Sequence, residues 1–239
     1  MGKTNFFYEN NKSIGLKTRT NTYGKEYDLV WEFISYYEKR FYRYNKNNKL
    51  AVFVEPKIES TFPDIVLASY DETSYDNWST TRNLLTVQEL KILSILINKR
   101  SCDGEYFIRL GYDAKQVLRS LERLLDCGLI RRTARSWQVE PTSTFFGVKQ
   151  LMAIEAKLYD VKSVYEQTLL NTWFASESYA LLPVKQPQNS TRDLFYKNGL
   201  GLYTKPDGFK KVLQAKKKGL PTSYVSLQFN EWIGKSLNR

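Results

Sequence analysis

An apolar run that ends in charged residues constrains this chain more than any other feature. Within the segment Leu151–Asp160, four consecutive apolar residues lead directly into Glu155, Ala156 and Lys157. A short continuous apolar run is typical of a strand buried in the centre of a sheet. Because side chains alternate along a strand, Glu155 and Lys157 are predicted to share one face. A buried charge costs free energy unless it is paired or binds a metal, so the two residues are candidates for a functional site.

A second acid stands at the start of another predicted strand. Asp64 follows Pro63 and precedes the apolar segment Ile65–Ala68, and proline suits the first position of a strand. An acid two positions before a lysine is weak as a pattern on its own, because it recurs elsewhere in the chain. The other occurrences are Glu55/Lys57, Glu89/Lys91, Asp113/Lys115 and Asp160/Lys162. The apolar strand context and the second acid distinguish Glu155/Lys157 from these.

Pro63-Asp64 and Glu155-Ala156-Lys157 together resemble the motif of the PD-(D/E)xK nuclease superfamily. The resemblance implies an α/β fold, in which a restriction-endonuclease-like mixed sheet is flanked by helices. It also implies that the two acids and the Ala156 carbonyl hold Mg²⁺, or Mn²⁺ in its place. In that family the lysine helps to position or activate the attacking water.

Three further residues are candidates for the same site. Gln167 lies in a predicted helix at Tyr159–Leu170, and many members of the superfamily carry a glutamine at about this place. Glu55 is close enough to Asp64 in sequence to approach a metal. Some members also lend an acid from their first helix, which is predicted here from Asp28, and Glu32 is the choice in this chain. We rank Glu55 below Asp64 and above Glu32, whose more common role is that of a solvated surface residue.

The long stretch between Asp64 and Glu155 departs from the family, which usually has a short hairpin there. Thr86 and Glu89 form a predicted capping box at the start of one helix, and Asp113 caps a second helix at Ala114–Asp126. A predicted basic hairpin follows around Ala134-Arg135. Helices followed by such a hairpin resemble a winged helix-turn-helix. The predicted core face of the second helix is formed by Val117, Leu118, Leu121, Leu124 and Leu125.

The other side of that helix and the hairpin offer side chains suited to DNA, because arginine and glutamine read base edges and lysine meets phosphate. The predicted DNA-binding residues are Lys115, Gln116, Arg119, Ser120, Arg123, Arg131, Arg132 and Arg135. The alternative is that these are ordinary solvated charges on a module that contacts protein. The basic character of the chain favours DNA.

Composition excludes several kinds of chemistry. The chain of 239 residues has a formal net charge of +11, which suits a polyanionic partner, and it contains no histidine. Serine–histidine and cysteine–histidine triads and histidine-metal nucleases are therefore excluded. Cys102 and Cys127 are too few for a zinc site. No apolar run is long enough to span a membrane and no signal peptide is recognisable, so a cytoplasmic protein is expected.

The predicted organisation is a flexible N-terminal arm at 1–26, a first part of the core at 27–83, the winged helix at 84–141 and a second part of the core at 142–239. Within the last part, Pro183–Asn198 is predicted to be a polar loop. A turn at Pro206-Asp207-Gly208 and a final helix at Tyr224–Asn238 are also predicted.

The function predicted from these features is a Mg²⁺-dependent endonuclease that hydrolyses double-stranded DNA positioned by the winged helix. A homodimer would be natural for cutting both strands. Restriction, mobile-element activity and anti-phage defence are all compatible with such an enzyme. Two alternatives stay open. One is a DNA-binding regulator or assembly subunit without activity, and the other is a nuclease for RNA or branched DNA.

Overall fold

The computed structural model describes residues 4–19 and 23–238, which form two compact units. The first unit is Met1–Asp71 with Val148–Thr222, and the second is Glu72–Gly147 with Ser223–Arg239. The inserted unit is therefore wider than the predicted 84–141. It also includes the C-terminal helix, which the sequence analysis assigned to the second part of the core.

The helices and strands of both units are numbered along the chain. They are β1 (Asn5–Phe7), α1 (Lys25–Tyr44), β2 (Lys49–Val54), β3 (Ile65–Tyr70), α2 (Val87–Lys99), β4 (Ser101–Cys102), α3 (Gly104–Arg109), α4 (Ala114–Asp126), β5 (Ile130–Arg132), β6 (Trp137–Val139), β7 (Val148–Ala156), α5 (Val161–Leu170), β8 (Glu177–Leu182), α6 (Asn189–Lys197), β9 (Gly201–Thr204), β10 (Lys210–Leu213) and α7 (Tyr224–Leu237).

The first unit is built on a mixed seven-stranded sheet in the order β1-β2-β3-β7-β8-β9-β10. Strands β2, β3 and β7 are antiparallel neighbours, and β7, β8 and β9 are parallel neighbours. Helix α5 makes the crossover between β7 and β8 that a parallel pair requires. The predicted α/β class with a mixed sheet flanked by helices is confirmed.

Helices cover both faces of this sheet. Phe33 and Ile34 of α1 pack with inward residues of β2, β3 and β7 in one apolar cluster. On the other face, Val164 of α5 and Phe195 of α6 pack with residues of β8 and β9. The strands β2, β3 and β8 are buried along nearly their whole length because both faces are covered.

Two parts of the first unit differ from the prediction. The described residues of the N-terminal segment are ordered rather than flexible, because β1 pairs in parallel with β2 and Phe7 stacks on Phe53 with ring centroids 4.4 Å apart. Ile14 and Leu16 are also buried. The predicted polar loop at Pro183–Asn198 contains α6, in which Phe195 is the one buried residue and packs against the sheet.

The second unit contains a three-stranded antiparallel sheet in the order β4-β6-β5, together with α2, α3, α4 and α7. Thr86 and Glu89 form the predicted capping box of α2, and Asp113 caps α4 by accepting a hydrogen bond from the Gln116 backbone N–H. Gly128, with a φ of 67°, ends α4 in the left-handed conformation that favours glycine.

The core face of α4 is narrower than predicted. Val117, Leu121 and Leu124 are buried, but Leu118 is 52% exposed and Leu125 is 39% exposed. These two leucines are seven positions apart, and each lies about 100° around the helix axis from a buried neighbour. Their assignment to the core was wrong. No helix in the described ranges combines the length and apolarity needed to cross a membrane.

Candidate metal-binding and catalytic site

The fold brings Asp64 to the end of β7 where Glu155 lies. The register of β3 and β7 pairs Ile65 with Ile154, so the next opposed positions are Asp64 and Glu155. The Ala156 backbone N–H donates a hydrogen bond of 2.7 Å to Asp64 Oδ2. The pairing of β3 with β7 therefore places two acids that are remote in sequence opposite each other at the ends of two central strands. The second unit is inserted between these two strands.

Burial makes ionisation of both acids costly. Glu155 is 4% exposed, and its Oε1 accepts a 2.6 Å hydrogen bond from Asn171 Nδ2. Burial and then the charge of Asp64 raise the pKa of Glu155 well above its usual range. Burial also raises the pKa of Asp64 to about 6, against the lowering effects of the Ala156 N–H and Lys157. Two neighbouring carboxylates of this kind, Glu155 buried and Asp64 partly buried, resist double ionisation unless a cation accompanies them.

Lys157 supplies positive charge next to this pair. Its Nζ lies 3.3 Å from Glu26 Oε2. Burial lowers the pKa of Lys157, but the charges of Asp64, Glu26 and Glu155 outweigh it, so the pKa is raised overall and the side chain stays a cation at neutral pH.

Lys157 and Glu155 line different cavities, whereas the strand alternation predicted that they share one face. Lys157 is one residue beyond the end of β7, where the alternation no longer applies. It lines a cavity of about 290 Å³ together with Glu26, Glu55 and Asp64. Glu155 lines a second cavity, of about 250 Å³, together with Gln167 and Asn171.

The acid that α1 contributes is Glu26 rather than Glu32. Glu26 accepts hydrogen bonds from Lys157 Nζ and from the Leu158 backbone N–H, each at 3.3 Å. Glu32 is instead paired with Lys205. Glu26 was not among the predicted site residues because the helix was predicted from Asp28, whereas α1 begins at Lys25 and holds Glu26 in its first turn.

Arg19 is a second residue that the sequence analysis missed. It lines both cavities, and its guanidinium lies 3.5 Å from the Glu55 carboxylate. The Arg19 backbone N–H also donates to the Glu55 carbonyl at 3.0 Å. Arg19 was not predicted as a site residue because residues 1–26 were predicted to be a flexible arm.

Two of the predicted catalytic side chains carry buried oxygen atoms without a hydrogen-bond partner. These atoms are Glu55 Oε2 and Gln167 Oε1, one at each cavity. Glu55 also has a φ of 46°, an uncommon conformation for a residue with a side chain. Buried acceptors are nearly always paired, and unpaired ones need an explanation such as an ion or water. Oxygen acceptors beside paired carboxylates fit a hard divalent cation and its waters.

Among residues 4–19 and 23–238, no three or more histidine, cysteine, aspartate or glutamate side chains form a metal-binding group. Asp64 and Glu155 are two carboxylates. Mg²⁺ is commonly bound through one or two carboxylates and keeps several waters, so the pair suffices for that ion.

The raised pKa values predict how the stability of the metal-free protein depends on pH. The folded state binds the Asp64 proton more tightly than the unfolded chain, so the stabilisation is complete below about pH 4 and is lost as pH rises through about 6. Replacement of Asp64 with asparagine removes this pH-dependent contribution to the free energy of unfolding, which is at most about 3 kcal/mol. We expect denaturant unfolding of parent and Asp64→Asn in EDTA to give free energies that diverge between pH 4 and pH 7. Parallel curves would contradict the assignment.

Most of the predicted DNA-binding residues lie at the surface of the second unit. Exposed side chains are those of Lys115, Gln116, Arg119, Arg131, Arg132 and Arg135. Arg131 is paired with Glu140 at 3.6 Å. Ser120 was wrongly placed on the outward side, because it is buried and donates to Glu89 Oε1 at 3.1 Å. Arg123 is only partly exposed and is paired with the same carboxylate at 3.2 Å.

Comparisons of the chain with protein-family models, with curated proteins and with solved structures gave no match.

Proposed function

We propose that the protein is a metal-dependent DNA endonuclease that hydrolyses phosphodiester bonds at the Asp64–Glu155 site. The observation that carries the proposal is the placement of Asp64 opposite the buried Glu155 where β3 and β7 meet, with Lys157 one residue beyond the end of β7. A buried acid pair of this kind destabilises the fold and is expected where function requires it.

The order of elements in the first unit supports the same proposal. Helix α1 is followed by the antiparallel strands β2, β3 and β7, then by the crossover helix α5 and the parallel strand β8. This order is similar to the core of the PD-(D/E)xK superfamily, with the second unit inserted between β3 and β7. The acids occupy the strand ends at which that family places its site.

Each residue of the site has a separate role in the proposed hydrolysis. Asp64, Glu155 and the Ala156 carbonyl would hold Mg²⁺ or Mn²⁺, and Glu55 and Gln167 would each hold one of its waters. When bound, such a cation neutralises charge on a phosphate oxygen and lowers the pKa of a bound water. Lys157 stays protonated, so it donates a hydrogen bond to the developing charge rather than acting as a base. Glu26 positions Lys157, and Arg19 adds positive charge for the phosphate.

The second unit would supply affinity for DNA. Its strand order β4-β6-β5 and its helices α2, α3 and α4 are similar to those of a winged helix-turn-helix. Exposed arginines at the β5–β6 hairpin, together with Lys115, Gln116 and Arg119 of α4, would contact phosphates and groove edges. A DNA-binding unit covalently joined to a cleaving unit raises the local concentration of substrate.

Arg135→Ala is expected to weaken DNA binding through loss of one phosphate contact, with the salt dependence of log K reduced by about 1. The measurement is fluorescence anisotropy with duplex DNA in EDTA over a range of salt concentrations. Arg109→Ala is the matched control, because it removes an exposed arginine from α3 that is paired with Glu105. Equal slopes for Arg135→Ala and the parent would exclude the hairpin from the DNA interface.

Cleavage of plasmid and linear DNA with Mg²⁺, compared with EDTA, tests the proposed activity. The parent is expected to cut in Mg²⁺ alone, and Asp64→Ala and Glu155→Ala are expected to lose cutting by about 10³-fold, since the metal supplies several kcal/mol to the transition state. Duplex, single-stranded and branched DNA and RNA in parallel identify the substrate class. Equal cleavage by the parent and both variants would remove the hypothesis.

A second candidate function is a non-cleaving protein that binds a partner through α4. The exposed leucines Leu118 and Leu125 favour it, because they lie on the outward side of a helix predicted to read DNA. A protein of this kind would bind DNA or its partner without Mg²⁺ and would leave every nucleic acid intact. Incubation of the parent with duplex DNA and Mg²⁺ distinguishes the two functions, since only the endonuclease cuts, and Leu118→Ser would weaken binding to a partner held by α4 in the second case.

A further inference from the structure

A second concave site lies on the first unit, near the C-terminal half of α1. It has a volume of about 410 Å³, larger than either cavity at the acid pair. Arg40 at this site and Glu26 at the first cavity are fourteen positions apart on α1, which corresponds to about 21 Å along the helix. The two sites therefore occupy opposite ends of the same helix, and the proposed cleavage does not use this one.

Two cations line the second site, and no carboxylate lies within ion-pairing distance of either in the part of the chain that the structure describes. They are Arg40 and Lys211. Arg40 lies over the ring of Tyr44, 5.3 Å from its centroid. Lys211 lies over two rings, 5.2 Å from the centroid of Tyr179 and 5.5 Å from that of Tyr203. Burial lowers the pKa of Lys211, and Arg40 lowers it further, while Glu177 opposes both.

Glu177 is the acid whose charge acts on Lys211, and its carboxylate already accepts hydrogen bonds from other donors. Its carboxylate accepts hydrogen bonds from Gln150 Nε2 at 2.8 Å, from the Tyr179 hydroxyl at 2.8 Å and from Gln214 Nε2 at 3.0 Å. One carboxylate balances at most one of the two cations, so the site keeps a net positive charge. An anion is the ligand that completes this balance.

The rest of the lining is aromatic and amide in character. Rings come from Tyr37, Phe41, Tyr44 and Tyr203, and amide groups come from the Asn48 side chain and the Gln150 Oε1 atom, while the Asn45 amide is bonded within its own turn. Aromatic side chains stack on nucleobases, and amide side chains pair with base edges. Inorganic phosphate alone would leave the rings and amides unused, whereas a nucleotide engages cations, rings and amides together. The volume is also within the usual range for small-ligand sites.

We propose that this site binds a 5′-phosphorylated nucleotide, with its phosphate between Arg40 and Lys211 and its base against the aromatic rings of α1. The same chemistry is offered by a free mononucleotide and by the 5′-terminal nucleotide of a nucleic-acid strand. The site is separate from the acid pair, so the proposal stands whether or not the protein cleaves DNA.

Isothermal titration of the full chain in EDTA tests the proposal with AMP, adenosine and inorganic phosphate as probes. AMP is expected to bind at least about tenfold more tightly than either fragment, because it joins the phosphate and ring contacts in one molecule. A short oligothymidine with and without a 5′-phosphate identifies the source: a tighter 5′-phosphorylated strand indicates a nucleic-acid end, and tighter AMP indicates a free nucleotide. AMP binding no tighter than phosphate, together with no preference for the phosphorylated strand, would overturn the proposal.

Arg40→Gln and Lys211→Gln remove one cation each, and each is expected to weaken AMP binding by about tenfold or more. Lys39→Gln is the matched control, because Lys39 is an exposed cation beside Arg40 on α1 that does not line the site. Asp64→Ala should bind AMP like the parent, which separates this result from any failure of the proposed cleavage. Unchanged binding by both cation variants, with folding verified by circular dichroism, would contradict the assignment.

Discussion

Glu155→Gln is expected to abolish metal-dependent cleavage while leaving the metal-free protein as stable as the parent, or more stable. Burial raises the pKa of the Glu155 carboxyl, so at pH 8, where the unfolded chain is ionised, this group destabilises the folded state in a way that a neutral amide of the same shape avoids. The glutamine oxygen can still accept the hydrogen bond that Asn171 gives to Glu155 Oε1. Cleavage should fall by about 10³-fold, and the unfolding free energy at pH 8 should not fall below that of the parent.

Two measurements check this opposition of activity and stability. Denaturant unfolding at pH 8 in EDTA gives the stability, and the shift of the thermal midpoint on adding Mg²⁺ gives the binding of metal. The shift should be present in the parent and absent in Glu155→Gln. Glu166→Gln is the matched control, since Glu166 is an exposed residue of α5 next to Gln167. A variant that loses several kcal/mol of stability and keeps its Mg²⁺ shift would indicate a purely structural role for Glu155.

The second large effect concerns the buried ion pair of the inserted unit. Arg82 Nε donates to Glu231 Oε2 at 3.2 Å, and the two side chains are 5% and 4% exposed. Arg82 also donates to the Phe145 carbonyl at 3.1 Å and lies over the Trp78 ring, 3.8 Å from its centroid. Glu231→Ala leaves the guanidinium buried without its counter-charge, so we expect a loss of about 3–5 kcal/mol in unfolding free energy.

Denaturant unfolding followed by tryptophan fluorescence measures this loss, because Trp78 and Trp232 both belong to the same unit. Glu105→Ala is the control, since Glu105 and Arg109 form an ion pair that is largely exposed and is expected to contribute under about 1 kcal/mol. Replacement of both partners, as Arg82→Met with Glu231→Leu, should recover much of the stability. A loss of less than 1 kcal/mol for Glu231→Ala would show that the pair is not a stabilising contact.

The features that could be predicted from the sequence are those encoded in short segments. The apolar run before Glu155 predicted a central strand, and β7 occupies it. Capping residues predicted the starts of α2 and α4, since the side chain of a cap bonds within its own turn. The Pro206-Asp207-Gly208 turn predicted the β9–β10 hairpin for the same local reason. Each signal depends on neighbours a few residues away.

The features that could not be predicted depend on contacts between remote segments. Glu26 and Glu32 are both acids on α1, and only the packing of that helix decides which one reaches Lys157. Ser120 is a small polar residue that is common at surfaces, but here it is buried because its hydroxyl donates a hydrogen bond to the buried Glu89 carboxylate. The C-terminal helix α7 has the same apolar pattern whichever unit it joins, and the Arg82–Glu231 pair ties it to the inserted one.

A crystal of the protein soaked in Mn²⁺ tests the central claim most directly, because anomalous scattering locates that ion without reference to activity. The account predicts one strong peak bonded to Asp64 and Glu155 carboxylate oxygens at about 2.1–2.2 Å, with the Ala156 carbonyl in the same coordination sphere. The peak should vanish in Asp64→Asn. A fully soaked crystal without a peak between Asp64 and Glu155, or with ions bound only at other acids, would contradict it.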